Sequence, residues 1–108
     1  MEIKILLVGD YCPIGRNKEL LEIKKNEDVF GGFNKFTKEA DISIANLETP
    51  LTNSNNYIEK TGPNIKAALS FLKPLKEEGF DIVTLANNHI MDYGEEGLKS
   101  TTKVCEKE

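Results

Sequence analysis

The chain has 108 residues, 39% hydrophobic and 30% charged, with eighteen acidic side chains against fourteen basic ones and a formal net charge of −4. That length bounds it to one domain able to bury on the order of 65% of its unfolded surface, and the short, punctuated apolar runs exclude a disordered chain. Net negative charge with scattered lysines argues against a nucleic-acid partner, and no apolar run approaches the roughly 18 residues of a membrane span, so no transmembrane segment is expected.

The first run, "IKILLVGD", predicts a strand from Ile3 to Val8, buried on both faces and ending in a Gly9-Asp10 turn. It is too short for a secretory signal core, so the chain as given reads as cytoplasmic. Cys12, with Cys105 far away, fits no metal-knuckle spacing and reads as a reduced thiol. A short helix is expected from Asn17 to Lys25, and Val29, Phe33 and Phe36 recur at helical spacing before Glu39, weakened by Gly31-Gly32. "ADISIANLETP" gives a second strand, Ile42 to Ala45, with a polar cluster behind it. Thr49 to Asn64, rich in Asn, Thr and Ser, reads as a long surface loop of the kind that is usually functional or mobile. Pro63-Asn64 then introduces the helical stripe Ile65, Ala68, Leu69, Leu72 and Leu75, stopped by Gly79 at the C′ position and split or kinked at Pro74. "GFDIVTLANNH" predicts a third strand, Asp81 to Leu85, and Glu95 to Glu106 a closing helix with acids in its first turn. Strands alternating with helices imply an α/β fold, a parallel βαβαβ sheet with covering helices.

Each predicted strand ends in groups able to bind a metal or a phosphate: Asp10, then Asn46 and Glu48, then Asn88 and His89. In a parallel sheet these ends share one edge and converge in one crevice. Carboxylates, a carboxamide and an imidazole suit a hard or borderline divalent ion such as Mn²⁺, Mg²⁺, Fe²⁺ or Zn²⁺, with hydrolysis at a phosphate as the natural chemistry. Taken singly, every one has a plainer reading. Asp10 is a turn residue, Asn46 a loop cap and Glu48 a surface acid. Asn87 and Asn88 tolerate a left-handed backbone or cap a turn, His89 is a hydrogen-bonded structural histidine, and Asp92 is the N-cap of the last helix beside Tyr93. The coincidence at successive strand ends favours the joint reading.

"GD" after the first strand, "NLETPLT" after the second and "GFDIVTLANNHIMDYGEEGL" after the third resemble the poly-γ-glutamate capsule-synthesis CapA family, whose domain resembles calcineurin-like metallophosphoesterases. The resemblance runs through essentially the whole chain. It implies the N-terminal part of a metallophosphatase-like α/β sandwich and a divalent-metal phosphoesterase-type hydrolase. Asp10 is then a metal ligand of the first strand, Glu48 with Asn46 takes the place of the second-motif acid, and Asn88 matches the asparagine ligand of an Asn-His pair. His89 becomes the acid or phosphate-binding group, with Asn87 and Asp92 in substrate or supporting positions. The phosphoesterase pattern has a histidine where this chain has Cys12 and often an acid where it has Ile90, changes that the CapA family commonly tolerates.

That pattern also draws further histidines from later strands, whereas this chain has one, and a three-stranded sheet leaves an edge and part of a face without a partner. Residues 1–108 are therefore expected to be one partial domain, truncated at its C-terminus and completed by the missing segment or a second polypeptide. Such a fragment is expected to bind metal weakly, turn over slowly and lie peripheral to a capsule-synthesis complex. The alternative is a non-catalytic α/β module acting as an assembly partner in envelope or capsule synthesis. A flavodoxin-like small-molecule binder is a weaker third reading, because "GDYCPIG" lacks a dense Gly-rich phosphate loop.

Overall fold

Three strands, β1 Ile5–Tyr11, β2 Ile42–Leu47 and β3 Ile82–Thr84, pair in parallel in the order β1-β2-β3. The computed structural model describes residues 1–108, and its helices are α1 Gly15–Glu22, α2 Asn26–Phe30, α3 Asn34–Glu39, α4 Leu72–Glu77 and α5 Gly94–Lys107. The α/β alternation expected from the apolar patterning is thus the observed one. Two aspartates at the strand starts help set the register: Asp41 Oδ2 accepts the Lys4 N–H at 2.8 Å and Asp81 Oδ2 the Ser43 N–H at 2.9 Å. Each satisfies a donor on the neighbouring chain that the ladder would otherwise leave open.

β1 runs on to Tyr11 instead of turning at Gly9-Asp10. The pairing passes from Leu7↔Ile44 to Asp10↔Asn46, so β1 carries one extra residue in the "VG" step. A bulge of this kind re-aims the side chains beyond it, and a glycine tolerates it well. Its consequence is that Asp10 shares a face with Leu7 while Tyr11 turns into the core.

The core gathers on the face of Ser43, Ala45 and Leu47, where Tyr11, Leu21, Phe71, Leu72, Leu75 and Phe80 are buried. Tyr11 stacks on Phe30 at 5.9 Å between centroids, and its hydroxyl donates to the Phe71 carbonyl at 2.6 Å, so the ring is buried with its polar atom satisfied. The expectation that the first strand is buried on both faces does not hold: Ile5 is 57% exposed, Leu7 71%, and Ile82 on β3 47%. The apolar run encodes two apolar faces, only one of which this chain covers. The accessible surface of 7166 Å² exceeds the about 6,000 Å² usual for a folded monomer of 12.1 kDa, leaving about 1,100 Å² in excess.

The predicted helix over Ile65–Leu75 is also corrected. Ala67 forms a parallel bridge with Leu51, with Thr52 N–H donating to the Ala67 carbonyl and Ala67 N–H to the Pro50 carbonyl, both at 3.0 Å. Strand-like pairing therefore takes the first half of the stripe, and helix begins only with a 3₁₀ turn, Leu69–Phe71, leading into α4. Pro74 falls in the first turn of α4, where its missing N–H has no intrahelical partner to lose, so it neither kinks nor splits that helix. Gly79 does stop it, with φ +106°; a Cβ there would lie 2.6 Å from Thr37 Oγ1.

The Thr49–Asn64 connection is a surface loop only in its second half, since Thr49, Pro50, Leu51, Thr52 and Ser54 are buried. α5 docks on it through side chains: Leu51 N–H donates to Thr101 Oγ1 at 2.8 Å and Ser100 Oγ to the Leu51 carbonyl at 2.6 Å. α5 itself is close to the expected Glu95–Glu106, and no helix is long and apolar enough to cross a membrane.

Candidate functional site

The bulge in β1 places Asp10 beside Asn46, whose Nδ2 donates to Asp10 Oδ1 at 2.6 Å. On the far side Thr84 Oγ1 donates to Asn46 Oδ1 at 3.0 Å, so a polar row crosses the carboxyl ends of all three strands. Glu48 follows directly: its N–H donates to the Tyr11 carbonyl at 3.1 Å, prolonging the β1–β2 ladder and turning Glu48 toward Asp10. The two carboxyl groups titrate as a pair. Hydrogen bonds from Asn46 and then Glu48 pull Asp10 below the usual carboxylate range, while the hydrogen bond to Asp10, burial and the Asp10 charge push Glu48 up. The pair is thus unequal, Asp10 favouring its charged form and Glu48 its protonated one.

Beyond β3 the chain turns through Asn87, Asn88 and His89. Asn87 Nδ2 donates to the Leu47 carbonyl at 2.8 Å and to Asn46 Oδ1 at 3.3 Å, and its Oδ1 accepts the His89 N–H at 3.0 Å. Asn87 therefore pins the turn to the end of β2 and brings His89 to the acid pair. His89 Nε2 lies 3.9 Å from Glu48 Oε1, too far for a direct hydrogen bond and near enough for both to touch a third group.

Asp92 is not the N-cap of α5. Tyr93 occupies that place with no side-chain cap, and the Asp92 carboxylate turns inward to 1% exposure. Oδ2 meets His89 Nδ1 at 2.7 Å and accepts the Ile65 N–H at 2.8 Å, while Oδ1 takes the Lys60 ammonium at 2.6 Å. Burial works against its charge, but Lys60, the Ile65 N–H and His89 outweigh burial and hold its carboxyl below the usual range. The loop is tied to the same turn by Ile58 N–H on the Asp92 carbonyl at 2.9 Å and Asn64 Nδ2 on the Ile58 carbonyl at 2.8 Å.

The structure therefore connects Asp10, Asn46, Glu48, Asn87, His89 and Asp92 in one network. Asn88 is the exception: it is exposed, and it joins through its backbone carbonyl, 3.4 Å from Lys60 Nζ. The Asn46 amide faces Asp10 with its nitrogen, its oxygen being taken by Thr84 and Asn87. No three His, Cys, Asp or Glu side chains converge closely enough to hold a metal ion by themselves. Cys12 borders the acid pair, and burial, then Glu48 and Asp10, push its thiol up to about 11. Beside Asp10 a cavity of about 270 Å³ opens between Tyr11, Cys12, Phe30 and Phe33.

Lys60 and Thr84 escaped the sequence reading. Thr84 is findable in principle, being the third member of the row that Asp10 and Asn46 begin. Lys60 sits in an aperiodic loop where nothing in the spacing distinguishes it from any other solvated lysine.

The fold and network define a parallel α/β protein with a polar site at the carboxyl edge of its strands. Residues 4–108 match the family model described as "Bacterial capsule synthesis protein PGA_cap", and the chain belongs to that family. It is 36% identical over 106 residues to the capsule biosynthesis protein CapA of Bacillus anthracis, covering 94% of this chain and 26% of that protein. It is 32% identical over 96 residues to the PGA biosynthesis protein CapA of Bacillus subtilis strain 168, covering 87% of this chain and 25% of that protein. An uncharacterized protein of Sinorhizobium fredii, y4sH, is 29% identical over 75 residues, 65% of this chain and 16% of that protein. The chain spans about a quarter of the length of the two Bacillus proteins.

Proposed function

We propose that this chain supplies the first three strands and the acidic half of a metallophosphoesterase-type site in a protein of poly-γ-glutamate capsule synthesis. The carrying observation is geometric: Asn46 holds Asp10 at the strand edge, and Glu48, whose carboxyl Asp10 pushes up, places Oε1 3.9 Å from His89 Nε2. Two carboxylates set this close repel unless a proton or a cation lies between them, and a divalent ion displaces the proton. Asp10 and Glu48 would hold that ion; Asn46 would join only by turning its amide to present the oxygen now held by Thr84 and Asn87, and Asn88 only by turning in from its exposed position. Mn²⁺, Fe²⁺, Zn²⁺ and Mg²⁺ all suit such oxygens. When bound, the ion would polarise a phosphoryl oxygen and activate a water. The chain's own contribution is positional: Asn87 fixes the turn against β2, and His89 offers Nε2 to the space before Glu48 as the atom at which a proton moves.

The donor set is partial, and so is the sheet. The exposed face of Ile5, Leu7 and Ile82 and the excess of about 1,100 Å² are what a unit awaiting another layer presents. We read residues 1–108 as the N-terminal part of a larger domain whose remaining segment, or a second polypeptide, covers that face and adds ligands. The absence of a three-ligand cluster favours one other reading, a non-catalytic module serving as assembly partner in capsule or envelope synthesis.

The test is thermal shift and calorimetry with Mn²⁺ and Zn²⁺ on the wild type, Asp10→Ala and Glu48→Ala, and hydrolysis of a generic phosphodiester by the chain with its completing segment. Metal stabilisation of the wild type alone, with hydrolysis lost in His89→Ala, supports the phosphoesterase reading. Equal responses from all three proteins remove the site. A stable complex with no hydrolysis leaves the assembly module.

A further inference from the structure

The connection between β2 and α4 reaches the candidate site at one side chain, Lys60. Its ammonium lies 2.6 Å from Asp92 Oδ1 and 3.4 Å from the Asn88 carbonyl, in a part-buried setting against a carboxylate that is 1% exposed. A carboxylate so enclosed is costly unless paired and hydrogen-bonded on every side. Asp92 is: Lys60 at Oδ1, the Ile65 N–H and His89 Nδ1 at Oδ2. An ionised carboxylate accepts and does not donate, so the contact of 2.7 Å fixes which imidazole nitrogen bears hydrogen.

We propose that Lys60 is a positioning residue of the site: through Asp92 it holds His89 in the Nδ1–H tautomer, leaving the Nε2 lone pair directed at the space before Glu48. The proposal rests on the reading of His89 as a group of the site and says in which form it serves. In that form Nε2 takes up a proton, or binds a cation, without first losing a hydrogen. A ring protonated at Nε2 alone would present a donor there and would set two lone pairs, Nδ1 and Asp92 Oδ2, against each other. Lys60 acts at one remove, since it touches Asp92 and not the reacting space. It also makes the second half of the Thr49–Asn64 connection part of the site, because Ile58 and Lys60, with Ile65 directly after that connection, close on Asp92.

His89 is the chain's single histidine, so its imidazole nitrogens are read without assignment ambiguity. The experiment is long-range ¹⁵N–¹H correlation on the full chain, recorded on the neutral ring without metal, for the wild type, Lys60→Met and Lys60→Arg. The expected result is a protonated, pyrrole-type Nδ1 and an unprotonated Nε2 in the wild type, kept in Lys60→Arg. In Lys60→Met the buried Asp92 carboxyl, without its cation, takes up a proton and donates it to Nδ1, so that hydrogen sits on Nε2 and the Nδ1–H form becomes a minority. If Lys60→Met fails to fold, Lys60→Gln, which keeps a donor against Asp92 without the charge, gives the same reading. A wild-type ring protonated at Nε2, or a folded charge-free variant with the wild-type tautomer, overturns the proposal. Since no metal or substrate enters, loss of the metal response leaves this outcome untouched, and the two readings fail separately.

Discussion

Asp10 stands beside Asn46, 2.6 Å away across the β1–β2 ladder, because β1 contains one residue more than β2 between Leu7 and Asp10. Without that bulge Gly9 would occupy the place, Asp10 would point to the covered face and Tyr11 would leave the core. Deleting Gly9 takes out the extra residue itself and leaves Asp10 opposite Asn46 and Tyr11 opposite Leu47, so it is expected to keep the ring in the core and any response to divalent ions, at a cost of about 1 kcal/mol for the lost bulge geometry. Gly9→Ala is expected to be mild, since an added Cβ there meets nothing within 4 Å. Urea denaturation of the two variants separates loss of the bulge from side-chain size.

Asp92 gives a pH dependence of definite sign. Its folded pKa lies below the unfolded value near 3.9, so its contribution is full at neutral pH and is lost as pH falls through the folded value. The wild type is expected to lose stability steeply below about pH 4, and Asp92→Asn to show a shallower acid limb from a lower plateau. Asp92→Ala strands the Lys60 charge and is expected to cost about 3–5 kcal/mol at neutral pH. Chemical denaturation from pH 3 to pH 7 checks the slope.

Glu48 carries the opposite sign. Its folded pKa is raised, so its protonated form is favoured by folding and that stabilisation disappears as pH rises through the folded value. Glu48→Gln is expected to leave stability at neutral pH equal or slightly higher while removing the metal response. Paired thermal melts with and without Mn²⁺ read both effects; a marked loss of stability in the metal-free melt would contradict a raised Glu48 pKa.

Cys12 should be a poor nucleophile despite its place beside the acid pair. With its thiol pushed up to about 11, little thiolate exists at neutral pH, and alkylation is expected to be slow until the pH nears that value. Timed iodoacetamide labelling of Cys105→Ser, which leaves Cys12 as the one thiol, measures this directly.

The uncovered sheet face predicts self-association of the isolated chain. Leu7→Lys and Ile82→Lys place charges on side chains 71% and 47% exposed, and are expected to reduce light scattering and dye binding with a change in stability within about 0.5 kcal/mol. They should also block pairing with whatever covers that face.

Strand alternation and the convergence of Asp10, Glu48 and His89 were legible because apolar runs and the polar residues that end them are local signals. Three features were not. The second face of β1 reads as buried because an apolar run reports the environment the residues suit, not the layers one chain contains. Ile65 and Ala68 sit at helical spacing, yet the bridge between Ala67 and Leu51 overrides it through a contact distant in sequence. Asp92 fits an N-cap pattern locally, but its partners Lys60 and Ile65 come from a loop about thirty residues earlier, and no spacing announces them.

The central claim, that Asp10, Glu48 and His89 border one cation-binding space, is tested most directly by the single imidazole. Titrating the full chain with substoichiometric Mn²⁺, whose unpaired electrons broaden nearby resonances, should erase the His89 ring signals in the wild type and spare them in Asp10→Ala and Glu48→Ala. His89 signals that persist in the wild type, or vanish equally in all three proteins, would contradict the account.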